Sequence, residues 1–96
     1  MQAVSDIERQ LQELKPVLAH KYKVKEIGVF GSYAKGKQTD TSDIDILVDL
    51  QEPLGWDLID LKDFLETELN HPIDLVTRNA LKEQLKDKIL SQTIFV

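Results

Sequence analysis

The 96-residue sequence contains no cysteine, which excludes disulfides, cysteine-ligated zinc, iron–sulfur clusters and a thiol nucleophile. It also lacks any apolar run near the roughly 20 residues that a bilayer-spanning helix needs. The first ten residues carry acids early and have neither the basic nor the apolar region of a signal peptide. From these absences we expect a cytoplasmic protein with no membrane association.

Basic residues are also in short supply, since 12 lysines and arginines stand against 17 acids, a formal net charge of −5. Because phosphate neutralisation supplies most nucleic-acid affinity, we expect no direct nucleic-acid binding. A negatively charged substrate stays compatible with this balance if metal cations lie between it and the protein. The chain is 42 % apolar and 30 % charged, as in ordinary globular proteins. We expect one domain over residues 1–96 with a single small core.

Hydrophobic periodicity and chain breakers predict six elements. In order these are a helix over 5–22, strands over 25–30 and 43–50, a helix over 56–69, a strand over 73–77 and a helix over about 80–91. Ser5 or Asp6 is expected to cap the first helix, Pro16 to kink or restart it, and Asn79 to cap the last. Trp56 is expected to anchor the core at the start of the second long helix, with an inward stripe that continues through Leu58, Ile59, Leu61, Leu65 and Leu69.

The connections predict how the three strands pair. A helix lies between the second and third strands, so these two are expected to be parallel and joined by a right-handed crossover. About a dozen residues around one short helical turn, closed by Gly36, separate the first two, which suits antiparallel or mixed pairing. The prediction is an α/β (α+β) domain with a small mixed sheet covered by helices. The apolar tail over 93–96 either packs back on this domain or contributes to a partner surface.

Asp43 and Asp45 begin the second strand, although aspartate is depleted in strands. Side chains alternate along a strand, so the two carboxylates share one face at about 6.5–7 Å along the backbone. At an effective dielectric of ~20 they repel by roughly 2–2.5 kcal/mol, a cost that a bound divalent cation removes. The alternative is a solvated strand end without a ligand.

A second element is Gly31-Ser32, which lies between the first strand and the short helical turn. Glycine allows close approach of a ligand to the backbone, and free N–H groups with the Ser32 hydroxyl suit phosphate oxygens. Lys35 and Lys37 add positive charge to the same turn. An ordinary strand-to-helix turn with solvated lysines is the alternative.

A third element is Asp74, the second residue of the third strand. If that strand runs parallel to the second, its start lies beside Asp43 and Asp45, and three carboxylates converge on one end of the sheet. Three rival acids lie further along the strand or beyond it: Asp49, Glu52 and Asp57. Both histidines, His20 and His71, are expected to be structural or solvated.

Together these residues form the pattern Gly31-Ser32, ten intervening residues, Asp43-x-Asp45 and then an apolar strand. The stretch GVFGSYAKGKQTDTSDIDILVDL closely resembles the minimal nucleotidyltransferase (MNT) family of the polymerase-beta-like nucleotidyltransferase superfamily, and the later IDLVT resembles that family's third carboxylate strand. The resemblance extends over essentially the whole chain and implies the nucleotidyltransferase fold. Lys35 departs from the family's usual arginine, so a bidentate contact from that position is lost.

The resemblance implies that Asp43, Asp45 and Asp74 bind Mg²⁺, two ions in a two-metal arrangement, and act as the catalytic acids. It implies that Gly31 and Ser32, with Lys35, hold the triphosphate of a nucleotide, ATP in the family's usual form. The implied reaction transfers a nucleoside monophosphate to a hydroxyl and releases pyrophosphate.

The motifs take up the chain and leave no acceptor-binding domain, so the acceptor is expected on another protein. The resemblance implies an antitoxin that attaches AMP to a tyrosine of a helical HEPN toxin. Two alternatives stay open: a non-catalytic antitoxin that neutralises its partner by binding, and a nucleotidyltransferase that acts on a small hydroxylated molecule.

Overall fold

The computed structural model describes residues 3–39 and 41–96, in which helices and strands alternate for most of the chain. The elements are α1 (Val4–Tyr22), β1 (Val24–Phe30), α2 (Gly31–Ala34), β2 (Ile44–Leu50), α3 (Asp57–Leu69), β3 (Ile73–Thr77), a 3-10 turn (Arg78–Ala80), α4 (Glu83–Gln92) and β4 (Ile94–Phe95). The strands form one sheet in the order β3-β2-β1-β4. As predicted, β1 and β2 are antiparallel and β2 and β3 are parallel. The predicted mixed sheet flanked by helices is thus confirmed.

The core lies between one face of the sheet and the two long helices. Ile44, Ile46 and Val48, at alternate positions of β2, have no exposed surface. They pack with buried residues at helical spacing: Ile7, Leu11 and Leu18 from α1, and Leu61, Leu65 and Leu69 from α3. Strand alternation therefore turns the acids of β2 to the sheet face opposite α1 and α3.

The start of α1 differs from the prediction, and the helix does not restart at Pro16. The N-cap is Ala3, whose N–H donates to the Asp6 carboxylate at 3.4 Å, so neither Ser5 nor Asp6 is the cap. The helix continues through Pro16 without a break. Pro16 and Gln12 one turn before it are both exposed, so the carbonyl that loses its donor faces water. No helix within the described ranges is long and apolar enough to cross a membrane.

Two apolar residues predicted to lie in the core are exposed, Trp56 at 85 % and Ile59 at 55 %. The inward face of α3 is set by Leu61, Leu65 and Leu69 at intervals of four residues. At about 100° per residue, Trp56 lies about 140° and Ile59 about 160° around the helix from Leu61. The helix geometry therefore turns both side chains to solvent.

The end of the chain also differs. Asn79 lies in the 3-10 turn, and α4 begins four residues after it, at Glu83, with Lys82 as its N-cap. The apolar tail forms β4, which pairs antiparallel with β1 through Gly28. A Cβ on Gly28 would lie 2.6 Å from Thr93 Cγ2, so glycine is what lets β4 approach. Of the two alternatives for the tail, packing against its own sheet is the one observed.

Candidate active site

The parallel pairing of β2 and β3 sets two acids side by side. Asp45 and Asp74 are directly opposed in the register, and their side chains are hydrogen bonded to each other. Such a bond between two carboxyl groups requires one shared proton. Asp43 lies just before the first residue of β2 and is exposed, as is Asp74, whereas Asp45 is half-buried.

The environment of Asp45 opposes its negative charge. Burial raises the pKa of Asp45 from 3.8 to about 6, and the charge of Asp74, the hydrogen bond that the protonated Asp45 donates to Asp74 and the charge of Asp43 add to the rise in that order. All four causes favour the protonated form. Asp43 and Asp74 therefore both disfavour the charge of Asp45, and among the described residues no cationic side chain offsets them.

The acids meet the chemical requirement for a hard divalent cation, although they do not form a finished metal site. Across 3–39 and 41–96, no three histidine, aspartate or glutamate side chains are arranged as a ready metal-binding group. The donors are carboxylate oxygens, which Mg²⁺ prefers. Burial first, and then the neighbouring acids, raise the pKa of Asp45, so its negative charge is disfavoured and a bound cation would stabilise it. Asp45 and Asp74 are in contact, and Asp43 has to turn toward them to complete a set of three.

The glycine-serine turn lies against the same acid. Phe30, the last residue of β1, is the register partner of Asp45, and Gly31 follows with a φ of +71°. A Cβ on Gly31 would overlap the Asp45 Oδ2 atom. Only glycine therefore combines this backbone conformation with this contact. Ser32, next in α2, is half-buried beside it.

The two lysines after the turn are positioned by backbone hydrogen bonds. The Lys35 N–H donates to the Gly31 carbonyl at 3.1 Å, and the Lys37 N–H to the Ser32 carbonyl at 2.9 Å. Both residues are exposed. Their side chains are thus in solvent beside the turn, where they add positive charge for an anion bound there.

Sequence reasoning missed the connecting role of His71. Its Nε2 atom lies 2.6 Å from the Ser42 carbonyl and 3.2 Å from the Tyr33 hydroxyl, and its ring meets the Tyr33 ring edge to face at 5.8 Å. A carbonyl only accepts, so Nε2 carries the hydrogen. His71 thus joins α2, the residue before Asp43 and the segment that leads into β3. Its position before a proline gave no signal of this role, although the expectation that it is structural holds.

The rival acids lie elsewhere. Asp49 is near the other end of β2 and pairs with Arg78 Nη1 at 3.6 Å. Glu52 is exposed in the loop after β2, and Asp57 begins α3. All three acids are distant from the glycine-serine turn in sequence, and none is paired with the residues beside that turn in the strand register.

Comparison with known protein families agrees with this geometry. Residues 11–96 match the profile of the nucleotidyltransferase domain. The chain belongs to the nucleotidyltransferase family. A Methanocaldococcus jannaschii protein assigned as a protein adenylyltransferase is 41 % identical to this nucleotidyltransferase over 95 residues, which cover 98 % of the chain and 97 % of that protein. The protein adenylyltransferase MntA of Thermococcus cleftensis is 38 % identical over 97 residues, covering 100 % of the chain and 98 % of MntA.

Solved structures share the fold. A structure assigned as a minimal nucleotidyltransferase superposes with a TM-score of 0.81 at 29 % identity, covering 97 % of this chain and 95 % of that one. A toxin–antitoxin crystal structure with AMP-PNP gives 0.76 at 28 % identity, with 92 % and 70 % coverage. A tri-AMPylated Shewanella oneidensis HEPN toxin in complex with MNT antitoxin gives 0.61 at 26 % identity, with 91 % and 70 % coverage. The predicted MNT resemblance and the nucleotidyltransferase enzyme class are confirmed.

In this nucleotidyltransferase, the strand register and the positive φ of Gly31 bring three predicted site residues into contact: Gly31, Asp45 and Asp74. Asp43 is close enough to affect the charge of Asp45, and Ser32 adjoins Gly31. Lys35 lies at the end of α2. The catalytic and binding roles of all six residues stay predictions.

Proposed function

We propose that this nucleotidyltransferase transfers AMP from ATP to a tyrosine hydroxyl of a HEPN toxin and thereby acts as its antitoxin. The observation that carries the proposal is the Asp45 carboxyl, hydrogen bonded to Asp74 and packed on the Gly31 backbone. It puts an acid pair against the backbone of the glycine-serine turn at one end of the sheet. Support for the acceptor comes from the relatives named as protein adenylyltransferases and from the AMPylated toxin bound to an MNT antitoxin.

Each site residue has a defined part in this reaction. Asp43, Asp45 and Asp74 would hold Mg²⁺, which when bound lowers the pKa of an attacking hydroxyl and offsets charge on the leaving phosphates. The Gly31 backbone and the Ser32 hydroxyl contact the triphosphate, and Lys35 contributes a point charge to it. Phosphoryl-type transfer needs alignment and charge neutralisation more than covalent help, which suits a site built from acids and a tight turn.

In the proposed reaction, the tyrosine oxygen forms a bond to the α-phosphorus of ATP. The bond from that phosphorus to the oxygen that bridges to the β-phosphate breaks, and pyrophosphate leaves. The tyrosine proton passes to Asp74, the exposed member of the hydrogen-bonded acid pair. Asp45, half-buried between Asp74 and Gly31, keeps the pair aligned with the triphosphate.

A labelling experiment tests the proposal. The nucleotidyltransferase is incubated with Mg²⁺, α-labelled ATP and the protein encoded by the neighbouring gene. We expect label on the partner with the wild type and none with Asp45→Asn. Asp49→Asn is the matched control, because it changes the same residue type on the same strand but outside the site. Tight binding and neutralisation without label would favour the non-catalytic antitoxin, and label on added small molecules alone would favour a nucleotidyltransferase that acts on a small hydroxylated molecule.

The hydrogen-bond donor of His71 is expected to matter for turnover as well as for stability. His71→Leu leaves the Ser42 carbonyl without this donor and frees the segment before Asp43, so we expect kcat to fall about 10–100-fold. His71→Gln keeps an N–H donor at a similar reach and is expected to recover most of kcat. Steady-state kinetics with thermal unfolding check this: equal kcat in the two variants would contradict it.

A further inference from the structure

Trp56 is the chain's one tryptophan, and 85 % of its surface is exposed. It lies at the N-cap of α3, where its carbonyl accepts a hydrogen bond from the Ile59 N–H at 3.1 Å. Ile59, one turn further along, is 55 % exposed. Neighbouring large apolar side chains in solvent mark interaction sites, and tryptophan is the residue type that most often dominates binding energy there.

Three carboxylates lie on the same helix as this apolar pair. Asp57, Asp60 and Asp63 of α3 are exposed and line a groove of about 430 Å³ between α3 and the end of α1. Two aromatic residues of the same groove, Tyr22 and Phe64, have ring centroids 5.5 Å apart. Lys21 is the one basic residue in the groove wall, so acids outnumber bases three to one there. The Lys21 Nζ atom already lies 5.4 Å from the Tyr22 ring centroid, so the groove accepts a cation over an aromatic ring, and the excess of acids suits a further basic side chain from a partner.

This region is remote from the proposed active site. The helix α3 covers the core face of the sheet, whereas Asp45 faces the other side. In addition, α3 begins after the far end of β2, and Leu50 lies about 16 Å along the strand from Asp45. An occupant of the α3 region would therefore leave the glycine-serine turn and the acids open. A helical protein domain about 30 Å across is large enough to reach both.

We propose that the Trp56 surface, defined as Trp56, Ile59, Asp57, Asp60 and Asp63, docks a protein that presents basic side chains around an apolar recess. The inference rests on the proposed function, since this protein is taken to be the toxin that receives AMP. A second copy of the chain is a poor occupant, because its net charge is −5 and the same acids would face one another. Docking here fixes the affinity for the toxin, and the chemistry proceeds at the opposite end of the sheet.

Calorimetry tests the proposal. It measures how tightly the toxin encoded by the neighbouring gene binds the wild type, Trp56→Ala and the double variant Asp60→Lys/Asp63→Lys. We expect Trp56→Ala to weaken binding about 30-fold, as hot-spot truncations do. The charge reversal is expected to weaken binding and to reduce its dependence on salt. Leu85→Ala is the matched control, because Leu85 is 45 % exposed on α4 and outside this surface, and it should bind like the wild type.

Transfer kinetics give a second readout. Because the surface is remote from the reacting atoms, the loss in Trp56→Ala should fall on KM for the toxin and not on kcat. If the wild type binds and the Trp56→Ala variant binds equally well, the Trp56 surface is not the docking site. If the wild type neither binds nor labels the toxin, the proposed function itself fails. Sedimentation gives a further test. If the wild type is a dimer and Trp56→Ala is a monomer, the surface mediates self-association and the proposal is overturned.

Discussion

Asp45→Asn is expected to lower the rate of AMP transfer about 10³-fold while it stabilises the folded protein at neutral and alkaline pH. Loss of a ligand carboxylate removes several kcal/mol of charge stabilisation from the reaction. The same change removes a negative charge that burial and two neighbouring acids disfavour. Activity and stability therefore move in opposite directions at this position, as expected of a residue retained for function.

The stability effect has a defined pH window. Folding raises the pKa of Asp45 from 3.8 to about 6, so the native state binds more protons than the unfolded state within that window. The wild type's free energy of unfolding therefore falls as the pH rises through this window, and the penalty is complete above about pH 7. Asparagine does not titrate, so the advantage of the variant should be present at about pH 8 and absent below about pH 4.

Urea unfolding of wild type, Asp45→Asn and Asp49→Asn at these two pH values measures the effect. The Asp49 variant loses an acid that is paired with Arg78, so it should not gain stability at high pH. An Asp45→Asn variant that is less stable than the wild type at about pH 8 would contradict the account of Asp45.

Gly31→Ala is expected to lower kcat at least about 10²-fold, whereas Gly36→Ala leaves it near the wild-type value. Both glycines have positive φ, +71° and +69°, so alanine introduces similar backbone strain of about 1–2 kcal/mol at each. A Cβ at residue 36 meets nothing within 4 Å, whereas at residue 31 it would overlap Asp45 Oδ2. Only Gly31→Ala therefore displaces an acid, and displacements near 1 Å have effects of this size on rates.

Comparison of the two alanine variants separates strain from displacement. Thermal unfolding should show a loss in both, larger in Gly31→Ala, and kinetics with labelled ATP should show a defect in that variant alone. Equal kcat in the two variants would mean that the contact between Gly31 and Asp45 has no part in catalysis.

The centre of the site was predictable because strand geometry is strict. Alternation along β2 fixed which residues share the face of Asp45, and the crossover through α3 implied a parallel β3. From these two rules the sequence predicts that Asp74 lies beside Asp45. The hydrogen bond between the two side chains and the raised pKa of Asp45 could not be predicted. Both depend on how far Asp45 is buried, which the sequence pattern does not show.

Other features depend on contacts between distant parts of the chain. The two-residue strand β4 forms only because Gly28 lets its backbone approach, and the tail alone has no strand pattern. His71 acts through Ser42 and Tyr33, which come from two other segments. The predicted burial of Trp56 is wrong because its position around α3, about 140° from Leu61, turns the side chain to solvent despite its hydrophobicity.

The central claim is that Asp45 and its neighbouring acids hold a divalent cation against a nucleotide at the glycine-serine turn. Electron paramagnetic resonance of Mn²⁺, titrated into the protein with α,β-methylene ATP, tests it most directly. We predict bound Mn²⁺ beyond that held by the nucleotide alone in the wild type and in Asp49→Asn, and its loss in Asp45→Asn. Equal Mn²⁺ binding by the wild type and Asp45→Asn would contradict the account.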